Sequence, residues 1–216
     1  MIRVKNLTFA YTKEYNALQN INFELANKSN MFILGEQESG RSSLLRILLG
    51  IENSFSGEVL YDNISVSRDI FKSTVDVGFL PEKMAFLENK SVYKNLEYVL
   101  KIRKVNKALQ EIKINNAIQC FGLNGIKDTK MKDIGRFDRV KVALARLSLR
   151  KLDYIFVDDI FKEMPNSEIK YVMTELKKLI VSNEASAIIV SDNPEVGKLI
   201  KSKKYVLSYG ILKEQD

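Results

Sequence analysis

The hydrophobic and polar positions divide the chain into short segments of two kinds. Residues 2–9 alternate, with Ile2, Val4, Leu7 and Phe9 apolar, and residues 18–25 carry Leu18, Ile21, Phe23 and Leu25, so both read as half-buried strands. Met31-Phe32-Ile33-Leu34 is a continuous apolar run, the pattern of a strand covered on both faces. Leu44, Leu45, Leu48 and Leu49 then recur at helical spacing within 42–49. Strand patterns return at 58–61, 75–80, 154–157, 186–190 and 204–207, and helical patterns at 138–150, 166–182 and 194–201. Strands alternating with helices predict an α/β fold with a mostly parallel central sheet. The stretch 91–121 reads as largely helical, without Gly or Pro until Gly122. It interrupts the alternation and predicts a helical subdomain at 83–145, inserted in a core lobe of 1–82 and 146–216.

Composition narrows the classes of function. An apolar fraction of 45% beside 28% charged residues is the balance of a globular domain with a sizeable core. No run approaches the roughly 20 apolar residues that span a bilayer, and the opening MIRVKNLTFAY has no signal-peptide core. The single Cys120 excludes an intrachain disulfide, and its apolar neighbours predict a small buried residue rather than a nucleophile. With no histidine in the chain, histidine bases and histidine metal sites are excluded. A net charge of +7 suits a polyanion partner or simply a solvated basic surface. The basic residues have acids among them and no aromatic interleaving, so nucleic acid is not an expected partner.

One segment carries explicit chemistry. Gly35-Glu36-Gln37-Glu38-Ser39-Gly40-Arg41-Ser42-Ser43 lies between the buried strand and the first helix. It fits the phosphate-loop pattern G-x-x-x-x-G-K-[ST] at each fixed position except the lysine, which is Arg41. Glycines let the backbone curl its N–H groups inward, the helix adds a positive N-terminal end, and Ser42 places a hydroxyl for Mg²⁺. A plain Gly/Ser turn is the alternative; the strand–loop–helix context argues against it.

From this point the sequence resembles the ATP-binding cassette family of transporter ATPases over nearly its whole length. The carrying segments are Val4–Tyr11, Leu18–Leu25, the phosphate loop, Leu45–Gly50, Ser56–Val59, Val77-Gly78-Phe79-Leu80-Pro81-Glu82, Val92–Tyr98, Val142–Arg146 and Tyr154-Ile155-Phe156-Val157-Asp158-Asp159, in the family's order and spacing. The resemblance implies ATP and Mg²⁺ as ligands. It puts Tyr11 on the adenine, the loop residues Gly35, Glu36, Ser39, Gly40, Arg41, Ser42 and Ser43 on the phosphates, and Ser42, Asp158 and the Q-loop residue Glu82 around the metal. It also implies a homo- or heterodimer of cassettes, held in the cytoplasm at the inner face of a membrane by a separate transmembrane subunit.

The departures bear on catalysis. Arg41 replaces a compact lysine by a planar fork. The family signature aligns with Ile134-Gly135-Arg136-Phe137-Asp138, which lacks the serine and the paired glycines. The catalytic glutamate position holds Asp159, one methylene shorter, and the switch histidine position holds Asp192, a carboxylate where negative charge is repelled. Two functions follow from the resemblance: an ATP-driven transporter subunit with impaired hydrolysis, or a catalytically inactive nucleotide-binding scaffold of such a complex. A nucleic-acid- or ribosome-directed cassette is disfavoured because the chain has one minimal cassette.

Overall fold

The computed structural model describes residues 1–12 and 15–215. The two alternating segments become β1 (Ile2–Thr12) and β2 (Tyr15–Leu25), which pair antiparallel. The apolar run becomes β3 (Asn30–Leu34), followed by the loop and α1 (Arg41–Leu48). β4 (Ser56–Tyr61) joins β1, and β5 (Ile64–Ser65) joins β4, giving an antiparallel sheet in the order β2-β1-β4-β5. A short α2 (Asp69–Thr74) leads to β6 (Val77–Leu80). Then come α3 (Val92–Ile102), α4 (Lys107–Cys120) and α5 (Arg136–Ser148). The chain ends with β7 (Tyr154–Asp158), α6 (Asn166–Asn183), β8 (Ser186–Ser191), α7 (Pro194–Lys198), β9 (Lys203–Ser208) and β10 (Ile211–Gln215).

The second sheet has the order β10-β9-β3-β8-β7-β6. Its five strands β9, β3, β8, β7 and β6 are parallel, and β10 is an antiparallel edge. Every residue of β7 and β8 is buried, as expected for parallel strands covered on both faces. The α/β architecture with a mostly parallel sheet and a block of helices is therefore the one expected from pattern, and the structure adds an antiparallel sheet that includes β1 and β2.

The chain divides into two compact units. One comprises Met1–Pro81, Leu152–Glu163 and Ile180–Asp216, and the other Glu82–Lys151 and Met164–Leu179. Pattern alone puts the helical insertion at 83–145, without the second of these segments.

In the first unit a single buried cluster joins Ile2, Val4 and Leu7 of β1, Leu44, Leu45 and Leu48 of α1, Val59 and Tyr61 of β4, Phe156 of β7, Ile188 of β8 and Leu207 of β9. With eight residues, α1 is too short to be stable by itself. Burial of Leu44, Leu45, Ile47 and Leu48, each fully removed from solvent, holds it. At roughly 1.5–3 kcal/mol per side chain that burial outweighs the helix-initiation cost. The loop before α1 is thus anchored at both ends.

In the second unit α3, α4 and α5 pack on one another, with Leu96, Leu100, Ile114, Ile118 and Leu144 buried. The stretch 91–121 is helical as its pattern predicts, in two helices. Lys104 takes φ +53°, and Asn106 accepts from the Ala108 N–H at 2.9 Å to start α4 afresh. Cys120 is exposed at the last position of α4, not buried as its apolar neighbours suggest, because the register of that helix turns it outward.

Candidate functional site

The loop between β3 and α1 owes its shape to two backbone positions outside the usual range. Glu38 has φ +67° and Gly40 has φ +102°. At Gly40 a Cβ would lie 2.4 Å from the carbonyl oxygen of Ala17, so both conformation and space require glycine. The Gly35 N–H donates to the carbonyl of Ser191 at 3.1 Å, and the Ser39 carbonyl accepts from Gly210 at 3.1 Å. The Ser39 carbonyl is therefore turned into the protein. No side chain caps the N-terminus of α1 at Gly40. A curled loop running into an uncapped helix start is a cradle for an anion.

Two polar atoms in this loop support the same conclusion. Ser39 Oγ and Arg41 Nη1 are buried and have no hydrogen-bond partner. Orphaned donors of this kind are costly in a folded protein unless a ligand completes them.

The neighbouring strands bring in acids. β3, β8 and β7 are adjacent and parallel, so Leu34, Ser191 and Asp158 end at the same edge of the sheet. Ser42 Oγ donates to Asp158 Oδ2 at 2.9 Å. Arg41 Nη2 lies 3.0 Å from Asp159 Oδ2, and the two side chains are 9% and 4% exposed. The other oxygen of Asp159 accepts from Ser191 Oγ at 3.1 Å, and Ser191 Oγ in turn accepts from the Asn193 N–H at 3.1 Å. Asp159 itself has φ +45°, a left-handed conformation that aspartate tolerates better than most residues, with its N–H on the carbonyl of Val190 at 2.9 Å. The carboxylate is thus engaged at both oxygens.

At the other side of the loop the Tyr11 hydroxyl lies 3.1 Å from Ser43 Oγ. The Tyr11 ring sits edge-on to Phe9 with centroids 4.7 Å apart and is 60% exposed, which leaves it open to stacking. Tyr11, Gly35, Ser39, Gly40, Arg41, Ser42, Ser43, Asp158 and Asp159 all lie in the first unit, as does the exposed Glu36.

Asp192 is also in the first unit but is exposed; its buried neighbour Ser191 is the residue that touches the acid. Pattern analysis missed Ser191, although a serine closing the apolar run Ala187–Val190 is a polar residue at a strand's carboxyl end.

Glu82 and the segment Ile134–Asp138 belong to the second unit. Glu82 is exposed. Gly135 is the N-cap of α5 with φ −69°, and Arg136, Phe137 and Asp138 form the first turn. Phe137 stacks edge-on against Tyr171 at 5.5 Å, and Asp138 pairs with Lys141 at 2.6 Å. The Phe137 side chain is half-buried in its own unit.

Among the described residues no group of three or more His, Cys, Asp or Glu side chains could hold a metal. Ser42 and Asp158 are a two-residue set, which matches the way Mg²⁺ is held by one or two protein ligands, its own waters and phosphate oxygens. A cavity of about 680 Å³ lies elsewhere, lined by Met1, Glu24, Asn30 and Lys203 among others. Asn30 and Lys203 begin β3 and β9, so this cavity is at the amino ends of the parallel strands. Ligands of open α/β sheets bind at the carboxyl ends, where the loop between β3 and α1 is.

Residues 18–162 match the family profile described as ABC transporter. The molybdate/tungstate import ATP-binding protein WtpC of Methanocaldococcus jannaschii is 27% identical over 179 residues, which are 83% of this chain and 59% of that protein. The methionine import ATP-binding protein MetN of Helicobacter pylori is 22% identical over 219 residues, covering 100% of this chain and 67% of that protein. The chain thus spans about six-tenths to two-thirds of the length of these relatives. A dimeric ATP-binding cassette solved in a post-hydrolysis state with ADP and Pi superposes with a TM-score of 0.85 at 19% identity, over 99% of this chain and 98% of that one. The cbiO1 protein of Clostridium perfringens, part of the transporter complex cbiONQ, superposes at 0.84 and 20% identity, over 98% and 86%.

Proposed function

The chain belongs to the ABC transporter family of ATP-binding proteins, and from that premise we propose that it is the ATP-binding subunit of a membrane transport complex. The observation that carries the reading is the phosphate loop: a backbone cradle at an uncapped helix start, with Ser39 Oγ and Arg41 Nη1 buried and unpartnered within it. Nucleotide phosphates would satisfy both atoms. Ser42 and Asp158, 2.9 Å apart, would hold Mg²⁺, which when bound neutralises phosphate charge. Tyr11 would stack on the base. The relatives named for import of molybdate, tungstate or methionine support a role in transport. No helix among the described residues is long and apolar enough to cross a membrane. In this reading the chain sits at the inner face of the membrane through a separate transmembrane subunit, and two cassettes pair as a homo- or heterodimer.

A second reading within the same complex is a nucleotide-binding subunit that does not hydrolyse. The specific observation in its favour is Asp159: both carboxylate oxygens are engaged, by Arg41 and by Ser191. A general base must come within hydrogen-bond reach of the attacking water; this carboxylate is held by two partners on the protein side, and aspartate is a methylene shorter than the family's glutamate. Gly135, Arg136 and Phe137 in place of the signature's serine and glycines point the same way.

The deciding experiment measures binding and turnover separately. Calorimetric titration of the purified chain with Mg·ATP tests binding. Phosphate release over a range of protein concentrations, beside an Asp158→Ala control, tests turnover. Binding with turnover no greater than the control supports the non-hydrolysing reading; turnover that rises with concentration and vanishes in the control supports an active ATPase. Absence of binding removes both.

A further inference from the structure

We propose that Asp159 is an internal competitor for the phosphate loop's only charged donor, so that the Arg41–Asp159 ion pair weakens nucleotide binding by this chain. The proposal rests on the nucleotide-binding reading above and concerns how that site is regulated.

Asp159 is held from three directions. Its backbone N–H is fixed to Val190, one carboxylate oxygen is fixed to Ser191 Oγ, and Ser191 Oγ is fixed to the Asn193 N–H. The remaining oxygen is thereby aimed at Arg41 Nη2 at 3.0 Å. A mobile surface carboxylate would exchange this partner for water; a carboxylate 4% exposed has no such route. The guanidinium is also confined: Arg41 Cδ would be 3.1 Å from a Cβ placed on Gly35, so its stem runs along the loop, and its side chain is 9% exposed.

The consequence follows from the shape of the arginine head. An unpaired guanidinium offers an oxyanion two parallel N–H groups. Here Nη2 is on Asp159, and Nη1 is buried without a partner. Phosphate arriving at the loop meets a guanidinium already shared with Asp159, and meets it beside a carboxylate of the same sign. Turning the whole fork to phosphate would strand Asp159 as a buried charge without a counter-ion, which is strongly unfavourable. Phosphate and Asp159 therefore compete for one cation.

The test is a cycle of affinities for the non-hydrolysable analogue Mg·AMP-PNP, measured by calorimetry on the whole chain and on Asp159→Asn, Arg41→Met and the double variant, each shown to be folded by circular dichroism. Asp159→Asn keeps the shape and removes the charge. It is expected to bind about tenfold more tightly than the parent, the size of one charge-assisted hydrogen bond regained. Arg41→Met is expected to bind more weakly, and adding Asp159→Asn to it is expected to give no further gain. An equal gain in both backgrounds would mean that Asp159 acts only as a nearby negative charge, and would overturn the proposal. A loss of affinity in Asp159→Asn would overturn it too, by showing that Asp159 orients Arg41 for phosphate. If the parent binds and Asp159→Asn binds equally, the proposal falls and the nucleotide-binding reading stands; if no variant binds, both fall. Should Asp159→Asn not fold, Ser191→Ala decides. It keeps both charges and loosens the carboxylate, with about two- to threefold tighter binding expected and unchanged or weaker binding overturning the proposal.

Discussion

The hydroxyl of Ser42, at the start of α1, donates to a carboxylate oxygen of Asp158, at the end of β7, across 2.9 Å and 116 residues of chain. The pair makes a sharp expectation. Ser42→Ala should weaken binding of ATP about tenfold when Mg²⁺ is present, through loss of one metal ligand, and change it little when the metal is chelated. Titrations with and without a chelator check this; an equal loss in both would place Ser42 on the phosphate instead.

Arg41 and Asp159 are nearly excluded from water, so breaking their pair from one side leaves a buried charge. Arg41→Met is expected to lower stability by about 3 kcal/mol, and Arg41→Met/Asp159→Asn to recover most of that loss. Urea denaturation reads both. A single variant as stable as the parent would mean the pair is hydrated in solution.

Two glycines of the candidate motifs should respond oppositely to alanine. Gly40 combines φ +102° with the Ala17 carbonyl 2.4 Å from any Cβ, so Gly40→Ala should cost about 1–3 kcal/mol and distort the phosphate loop. Gly135 has φ −69° and nothing within 4 Å of a Cβ. Gly135→Ala should change stability by no more than about 0.5 kcal/mol. Thermal unfolding of the two variants distinguishes them.

Alkaline pH provides a further test in the first unit. Burial, reinforced by the negative charges of Asp62 and Asp153, pushes the Tyr154 hydroxyl up to about 12, and burial raises Tyr61 well above its usual value. A group raised on folding favours the folded state while it stays protonated. The contribution is complete below the unfolded value of about 10 and is lost as pH rises from there through about 12. The unfolding midpoint should therefore fall over that interval, and fall less steeply in Tyr154→Phe.

Much of the fold was legible from the chain because its signals are short-range. Period-two alternation marked β1 and β2, and unbroken apolar runs marked β3, β7 and β8. The signals were silent or misleading where a local choice was balanced. The 91–121 stretch contains no helix breaker, and its division depends on the Asn106 side chain capping α4. Cys120 has apolar neighbours in sequence, but the helix register turns it to solvent. β10 has only a weak alternation, and its pairing with β9 makes it a strand.

The same division holds at the site. Sequence by itself determined the identities that matter: the glycines and serines of 35–43, Arg41 in place of lysine, and the acids Asp158 and Asp159 closing an apolar run. Tertiary structure alone decided what those residues do to one another. Ser191 was invisible as a partner because its role arises from β8 lying between β3 and β7, an order that local propensity does not encode. That order puts three strand ends side by side. It sets Ser42 on Asp158 and Arg41 on Asp159, and it leaves Nη1 of Arg41 and Oγ of Ser39 without partners. Residue type sets the charge and reach of a side chain; only the packing of distant strands sets which charge it meets.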